Sequence, residues 1–208
     1  IETITRGEVL LSLPHEKEAM LAQKLNDHIS CAEQSKFFKT GSDALTAAVK
    51  VARAYTKRDK VLVCGYHGWH DWYTICNDKK AGIPKILEGL CVKFKYNDLQ
   101  GLEDELKKGG AAAVILEPVV YDEPQRGYLE SLVELTHKYS ALVVFDEVVT
   151  GIRFGLGVWL CLIVWLDDSS RLRFVDVFVG DIIVLVCIFS RLILGFVAII
   201  IRNGVISF

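Results

Sequence analysis

This chain of 208 residues has no lysine, histidine or proline in its last third. All fifteen lysines, five histidines and four prolines lie at or before Lys138. The six cysteines (Cys31, Cys64, Cys76, Cys91, Cys161 and Cys187) include no C-x-x-C pair. That argues against a zinc ribbon and against a small disulfide scaffold. A net charge of −2 argues against a strongly basic nucleic-acid face. There is no internal repeat, low-complexity stretch or signal-peptide pattern, and Ile1 is not a methionine, so the chain is expected to be an internal piece of a longer protein.

What is present divides into two texts. Hydrophobic residues make up 71 of the first 155 positions but 36 of the last 53. Residues 1–155 have the balance of a globular α/β domain. Residues 156–208 form an atypical apolar tail. Within it, 182–201 is interrupted only by Ser190, Arg191 and Gly195. By length that run could span a bilayer, although Arg191 near its centre costs about 2.5–3.5 kcal/mol on insertion scales. Buried strands, a membrane helix and an aggregating disordered segment all fit these letters.

The first part alternates helix and strand. Residues 14–29 place Glu16 and Glu18 in a first turn and Leu21, Leu25 and Ile29 on one face. Residues 43–55 carry Leu45, Ala48, Val49, Ala52 and Tyr55 at helical spacing, with alanines small enough for close approach to a sheet. Residues 60–64 are a short apolar run, and Val92, Phe94 and Tyr96 alternate with lysines, the period of a half-exposed strand. Asn97 and Asp98 cap a helix bearing Leu99, Leu102 and Leu106, stopped by Gly109-Gly110. Runs at 111–116 and 141–145 flank a helix marked by Leu129, Leu132, Leu135 and Tyr139. Strands spaced by helices predict a mostly parallel sheet with helices on both faces.

In such a sheet, ligands bind outside the carboxyl ends of the strands. Four segments can place polar chemistry there. Lys39-Thr-Gly-Ser-Asp43 precedes the alanine-rich helix, so Gly41 and Ser42 either hold an anion at the helix start or belong to an ordinary N-cap formed by Ser42 or Asp43. Gly65-Tyr-His-Gly-Trp-His-Asp-Trp72 follows a strand and offers aromatic faces and imidazoles, for stacking or for packing. His67, His70 and Asp71 lack a second ligand group at matching spacing, so no metal site is expected. Glu117 ends a strand, as a site residue, a solvated strand end or a salt-bridge partner. Asp146 follows an apolar run, and a carboxylate held there needs a cationic partner, either a structural ion pair or a protonated ring nitrogen.

Together these segments resemble the class III aminotransferases, in the branch of glutamate-1-semialdehyde aminomutase. Residues 39–44 sit where that family has its S-G-T-E-A-like phosphate loop. Residues 65–72 match its Y-H-G loop, 113–119 its strand ending in E-P, and 142–155 its D-E-V-x-T-G-x-R segment, from about Leu10 to Gly155 in order and spacing. The resemblance implies the large domain of a fold-type I transferase that uses pyridoxal 5'-phosphate. It implies a small-molecule amino donor and acceptor, a cytoplasmic homodimer, and no nucleic-acid or membrane partner. Gly41 and Ser42 would bind the phosphate. Tyr66 would stack on the pyridine ring with His67 beside it, and Glu117 would line the pocket. Asp146 would pair with the ring nitrogen, and Val148 would pack beneath the ring.

The tail departs from this pattern. The family continues past its R-F-G segment to the lysine that forms a Schiff base, whereas a chain of this composition with about five lysines expected after Gly155 has none. No catalytic residue is therefore assigned, because the amine nucleophile is missing and arginine stays protonated. The leading expectation is a fragment of an aminotransferase whose reading frame is lost, or whose intron is read through, near Gly155. The alternatives are a non-catalytic cofactor-binding or dimerising relative and a membrane-attached protein anchored by residues 182–201.

Overall fold

The computed structural model describes residues 16–28, 34–119, 122–151, 184–189 and 196–201, the last two segments as backbone strands. In chain order they form α1 (Glu16–His28), β1 (Gln34–Phe38), α2 (Gly41–Thr56), β2 (Lys60–Cys64), α3 (Asp71–Thr74) and β3 (Cys91–Lys93). There follow α4 (Leu99–Lys107), β4 (Ala111–Leu116), α5 (Tyr128–Lys138), β5 (Leu142–Glu147), β6 (Val184–Phe189) and β7 (Phe196–Ile201). The seven strands make one sheet in the order β1-β7-β6-β5-β4-β2-β3. The pairs from β3 through β6 are parallel, and β7 runs antiparallel to both β6 and β1.

Side-chain alternation divides the core into two layers. Val61 and Val63 of β2, Ile115 of β4, and Leu142 and Val144 of β5 pack with Ala44, Ala48 and Ala52 of α2. Leu62, Val114, Leu116, Val143 and Phe145 point to the other face, against Leu102 and Leu106 of α4 and Leu129 and Leu132 of α5. Ala44, Ala48 and Ala52 are fully buried, so the alanine stripe is what lets the α2 backbone lie close on the sheet. Each buried leucine contributes roughly 1.5–3 kcal/mol through apolar burial. Arg58 fastens the amino edge: its Nη1 donates to the carbonyls of Ala111, Tyr139 and Ser140 at 3.2, 2.8 and 3.0 Å.

Several expectations need correction in detail. The strand expected over 92–96 is only Cys91–Lys93, extended by one further bond from Phe94 N–H to the Val63 carbonyl. The expected helix over 14–29 is seen from Glu16 to His28, with Pro14 and Ile29 outside the described residues. β1 was not anticipated: it is short, half-exposed, and paired with β7 from the far end of the chain. An anchor through 182–201 needs one continuous helix, but 184–189 and 196–201 are strands of the sheet. Among the described residues no helix is long and apolar enough to cross a membrane.

Candidate functional site

The carboxyl ends of β2, β4 and β5 open on one edge of the sheet, as parallel strands require. Asp146, two residues past Val144, continues the face of β5 covered by α2. It is 3 % exposed, and each of its carboxylate oxygens has one hydrogen-bond partner. Oδ2 lies 2.8 Å from His67 Nδ1, and Oδ1 accepts the Val148 N–H at 3.2 Å. His67, 1 % exposed, donates from Nε2 to the Cys64 carbonyl at 3.0 Å. Both partners of the imidazole are oxygen acceptors, so the arrangement is satisfied when the ring carries both protons and Asp146 is ionised. Hydrogen bonding at both ring nitrogens and both carboxylate oxygens offsets the burial of each partner.

The loop after β2 is shaped by two glycines. Gly65 has φ +103°, and a Cβ on it would lie 2.6 Å from Glu117 Oε1. That close approach lets Glu117, just past β4, accept the Tyr66 N–H at 3.0 Å. Burial pushes the Glu117 carboxyl above its usual range; the Tyr66 N–H and His67 oppose this, and the Asp146 charge adds to it. Gly68 has φ +94°, and a Cβ there would lie 2.2 Å from Ser42 Oγ. The loop thus rests directly on the first turn of α2.

That turn is capped by Thr40, not by Ser42 or Asp43 as the sequence had allowed. Thr40 Oγ1 accepts the Asp43 N–H at 3.2 Å, and Asp43 Oδ2 accepts the Thr40 N–H at 3.1 Å, a reciprocal capping box. The physical reason is position: Thr40 is the last extended residue, and Asp43 stands at the third helical place, where its carboxylate can reach back. Ser42 is consequently spared, and among the described residues no hydrogen bond engages its hydroxyl. The first intrahelical bond is Ala44 N–H to Thr40 O, so the Gly41 and Ser42 amides precede it and point out of the helix start. A Cβ on Gly41 would lie 3.0 Å from Val148 Cγ2, so the helix start and the segment after β5 approach closely.

The seven expected residues therefore form one contiguous group. Gly41 adjoins Val148, Ser42 adjoins the Tyr-His-Gly loop, Tyr66 is bonded to Glu117, and His67 is bonded to Asp146. The Tyr66 ring is 66 % exposed and meets Tyr73 edge-on at 5.8 Å. Supporting residues went unread in the sequence. Thr46 Oγ1 donates to Ser42 O at 2.8 Å and accepts from Trp72 Nε1 at 2.8 Å. It also lies 2.7 Å from His70 Nδ1, which is therefore the donor there. Tyr73 bonds the Gly65 carbonyl at 2.9 Å and packs edge-on against His67. Thr46 has no motif to announce it; only its place four residues after Ser42, one helical turn on, links it to the site. His67 and His70 serve different partners, and among the described residues no three metal-ligating side chains converge.

Known proteins resemble this chain in sequence and in fold. The family profile described as Aminotransferase class-III matches residues 8–165. The chain is 42 % identical over 165 residues to 3-aminobutyryl-CoA aminotransferase of Cloacimonas acidaminovorans, covering 76 % of this chain and 39 % of that protein. It is 39 % identical over 172 residues to glutamate-1-semialdehyde 2,1-aminomutase of Sulfurisphaera tokodaii, covering 75 % and 41 %. A solved transaminase with PLP bound shares its fold at a TM-score of 0.72 and 23 % identity, over 92 % of this chain and 46 % of the other. The chain thus spans about two fifths of the length of these curated relatives. With the profile matched over most of its length, the chain belongs to the class III aminotransferases.

Proposed function

We propose that this chain supplies the ring-and-phosphate half of a pyridoxal phosphate site in an enzyme that transfers or shifts amino groups. The observation that carries the reading is the buried Asp146–His67 pair, seated on the same sheet edge as the start of α2. The donor set suits the cofactor at both ends. At one end are two free amides, a hydroxyl not used as a cap and the positive end of a helix, the requirements of a phosphate. At the other is a buried carboxylate with lone pairs to spare, the requirement of a protonated ring nitrogen.

When bound, the cofactor supplies an electron sink for bonds at the carbon bearing the amine. The chain's own residues have separate tasks. Gly41 and Ser42 hold the phosphate, Tyr66 covers the ring and Val148 packs against its other side. Asp146 keeps a proton on the ring nitrogen, His67 fixes the orientation of that carboxylate, and Glu117 anchors the Tyr66 backbone and borders the pocket. Exposed Tyr66 and Trp69 beside the site suit burial by a second copy of the protein.

No lysine lies between Lys138 and Phe208, so residues 148–208 hold no counterpart of the family's amine nucleophile and this half-site is incomplete on its own. Residues 1–155 carry the family's large-domain segments, and the apolar tail from 156 stands in place of the lysine-bearing one. Titrating the chain with pyridoxal phosphate, then treating it with borohydride and measuring intact mass, tests both points. The expected result is reversible binding, weakened by Asp146→Asn, with only scattered partial labelling of exposed lysines and no single lysine labelled at full occupancy. Stoichiometric cofactor on one lysine, lost in Asp146→Asn, overturns the incompleteness, and binding indifferent to Asp146→Asn overturns the site. Reading the coding DNA around Gly155 in all three frames is expected to restore a lysine-bearing segment. A second reading, a non-catalytic relative with a folded tail, is favoured by β6 and β7 completing the sheet beside β5. Cooperative unfolding that depends on those strands, with no lysine segment in any frame, supports it.

A further inference from the structure

A second chemical group lies where the segment after α3 meets the start of β3, on the far side of Tyr73 from Gly65 and His67 in the chain of contacts. Cys91 Sγ donates to Cys76 Sγ at 3.2 Å, so the two sulfurs touch. Cys76 is half-buried and therefore reachable from solvent, whereas Cys91 is buried. The Cys76 position is fixed: its N–H bonds the Tyr73 carbonyl at 3.2 Å, and its thiol donates to the same carbonyl at 3.0 Å. Cys91 is held in register opposite Val61 of β2. Lys93, two residues along β3, adds positive charge near both sulfurs. Two thiols with no third ligand among the described residues are a poor metal site.

We propose that Cys76 and Cys91 are a redox-active dithiol that closes to a disulfide by exchange with a small-molecule disulfide such as oxidised glutathione, Cys76 attacking and Cys91 resolving. The Cys76 thiolate attacks one sulfur of the small disulfide, forming a mixed disulfide and expelling one thiolate. Cys91 then gives its proton to solvent and attacks Cys76 Sγ, expelling the second thiolate. Two protein thiols are oxidised to one disulfide, and one small disulfide is reduced to two thiols. The division of labour follows the surroundings. The hydrogen bond from Cys91 holds the Cys76 thiol down at about 7, against burial and assisted by Lys93. Cys91, its proton held in that bond and buried, is raised. Cys64, the third described cysteine, is pushed up to about 11 by burial and then by the Glu117 charge, so it is expected to stay inert.

The experiment treats the folded chain with oxidised glutathione, blocks free thiols and maps tryptic peptides without reduction. Residues 61–79 are expected joined to 86–93 through Cys76 and Cys91, with Cys64 alkylated only after unfolding. At pH 7 Cys76 should alkylate at least about tenfold faster than Cys64, following thiolate fraction. In Cys91→Ser the attack should stop halfway, leaving one glutathione on Cys76. A wild-type map with both thiols free after oxidation, or with Cys64 joined to Cys91, overturns the proposal. So does Cys64 reacting as fast as Cys76. The map uses the unaltered protein, so it decides the matter even if the variant does not fold.

Discussion

Asp146 and Glu147 are neighbours in β5, both almost fully buried, yet they live in opposite environments. Asp146 faces α2 and has His67 and the Val148 N–H as partners. Glu147 follows the parity of Val143 and Phe145 toward the other face. Neither of its carboxylate oxygens has a hydrogen-bond partner among the described residues. Its carboxyl is pushed up to about 7, first by burial, with Thr150 opposing and the Asp146 charge adding. Two adjacent carboxylates on β5 thus meet opposite surroundings, one hydrogen-bonded on both oxygens and the next raised by burial. The difference lies in what each face offers, not in the residue type.

The largest effect should come from breaking the satisfied side. His67→Phe leaves the Asp146 charge buried with one backbone donor, a loss of roughly 3–5 kcal/mol as seen when one partner of a buried ion pair is removed. Urea denaturation at pH 7 measures it. Replacing both members with apolar residues should recover much of that loss while abolishing pyridoxal phosphate binding. If the double variant is no more stable than His67→Phe, the two side chains are not a coupled pair.

The Glu147 side makes the opposite prediction, in pH. Below about 4.5 Glu147 is protonated folded or unfolded and costs nothing. As pH rises toward about 7, the unfolded chain releases the proton first, so stability falls across that window and levels off above it. The span corresponds to about 3 kcal/mol. Glu147→Gln should remove the decline, matching the parent near pH 4.5 and exceeding it at pH 8. A parent curve that is flat between pH 5 and 8 breaks the comparison.

Smaller effects probe the scaffold around Asp146. Gly68→Ala combines a positive φ with a Cβ driven into Ser42, and should cost about 2 kcal/mol. Gly82→Ala shares the positive φ but meets nothing within 4 Å, so it should cost about 1 kcal/mol. The gap between the two, read from urea midpoints, isolates the contact between loop and helix start.

How much of this was legible follows from range. Apart from the short α3, which was not anticipated, and β3, which is shorter than expected, the helices and strands between residues 41 and 147 announce themselves through local periodicity, as in the alanine stripe of α2 and the apolar runs of β2, β4 and β5. β1 and β7 do not, because Gln34 finds its partner at Ile201, and a short half-exposed strand acquires identity only from that distant pairing. β6 and β7 come from an apolar run without punctuation, where period alone cannot separate strand from helix. The motif residues were legible as a set, whereas their partners were not. Nothing near His67 in sequence points to Asp146, 79 residues away, and nothing marks Cys91 as the neighbour of Cys76.

The finest distinction concerns Thr40 and Ser42, two hydroxyls two residues apart at the start of α2. Thr40 closes the capping box, so Thr40→Ala frees the Asp43 amide and should cost about 1 kcal/mol. Ser42 bonds nothing with its hydroxyl among the described residues, so Ser42→Ala should change stability by less than about 0.5 kcal/mol. Binding of a phosphate-bearing ligand should reverse the ranking. Thr40→Ala leaves the Gly41 and Ser42 amides in place and should weaken binding only through helix fraying, whereas Ser42→Ala deletes the hydroxyl proposed to hold the phosphate. Denaturation and pyridoxal phosphate titration of the two variants separate a hydroxyl that holds the helix from one that the helix holds ready. Equal losses in both assays would mean that the capping box and the phosphate end of the site are a single structure.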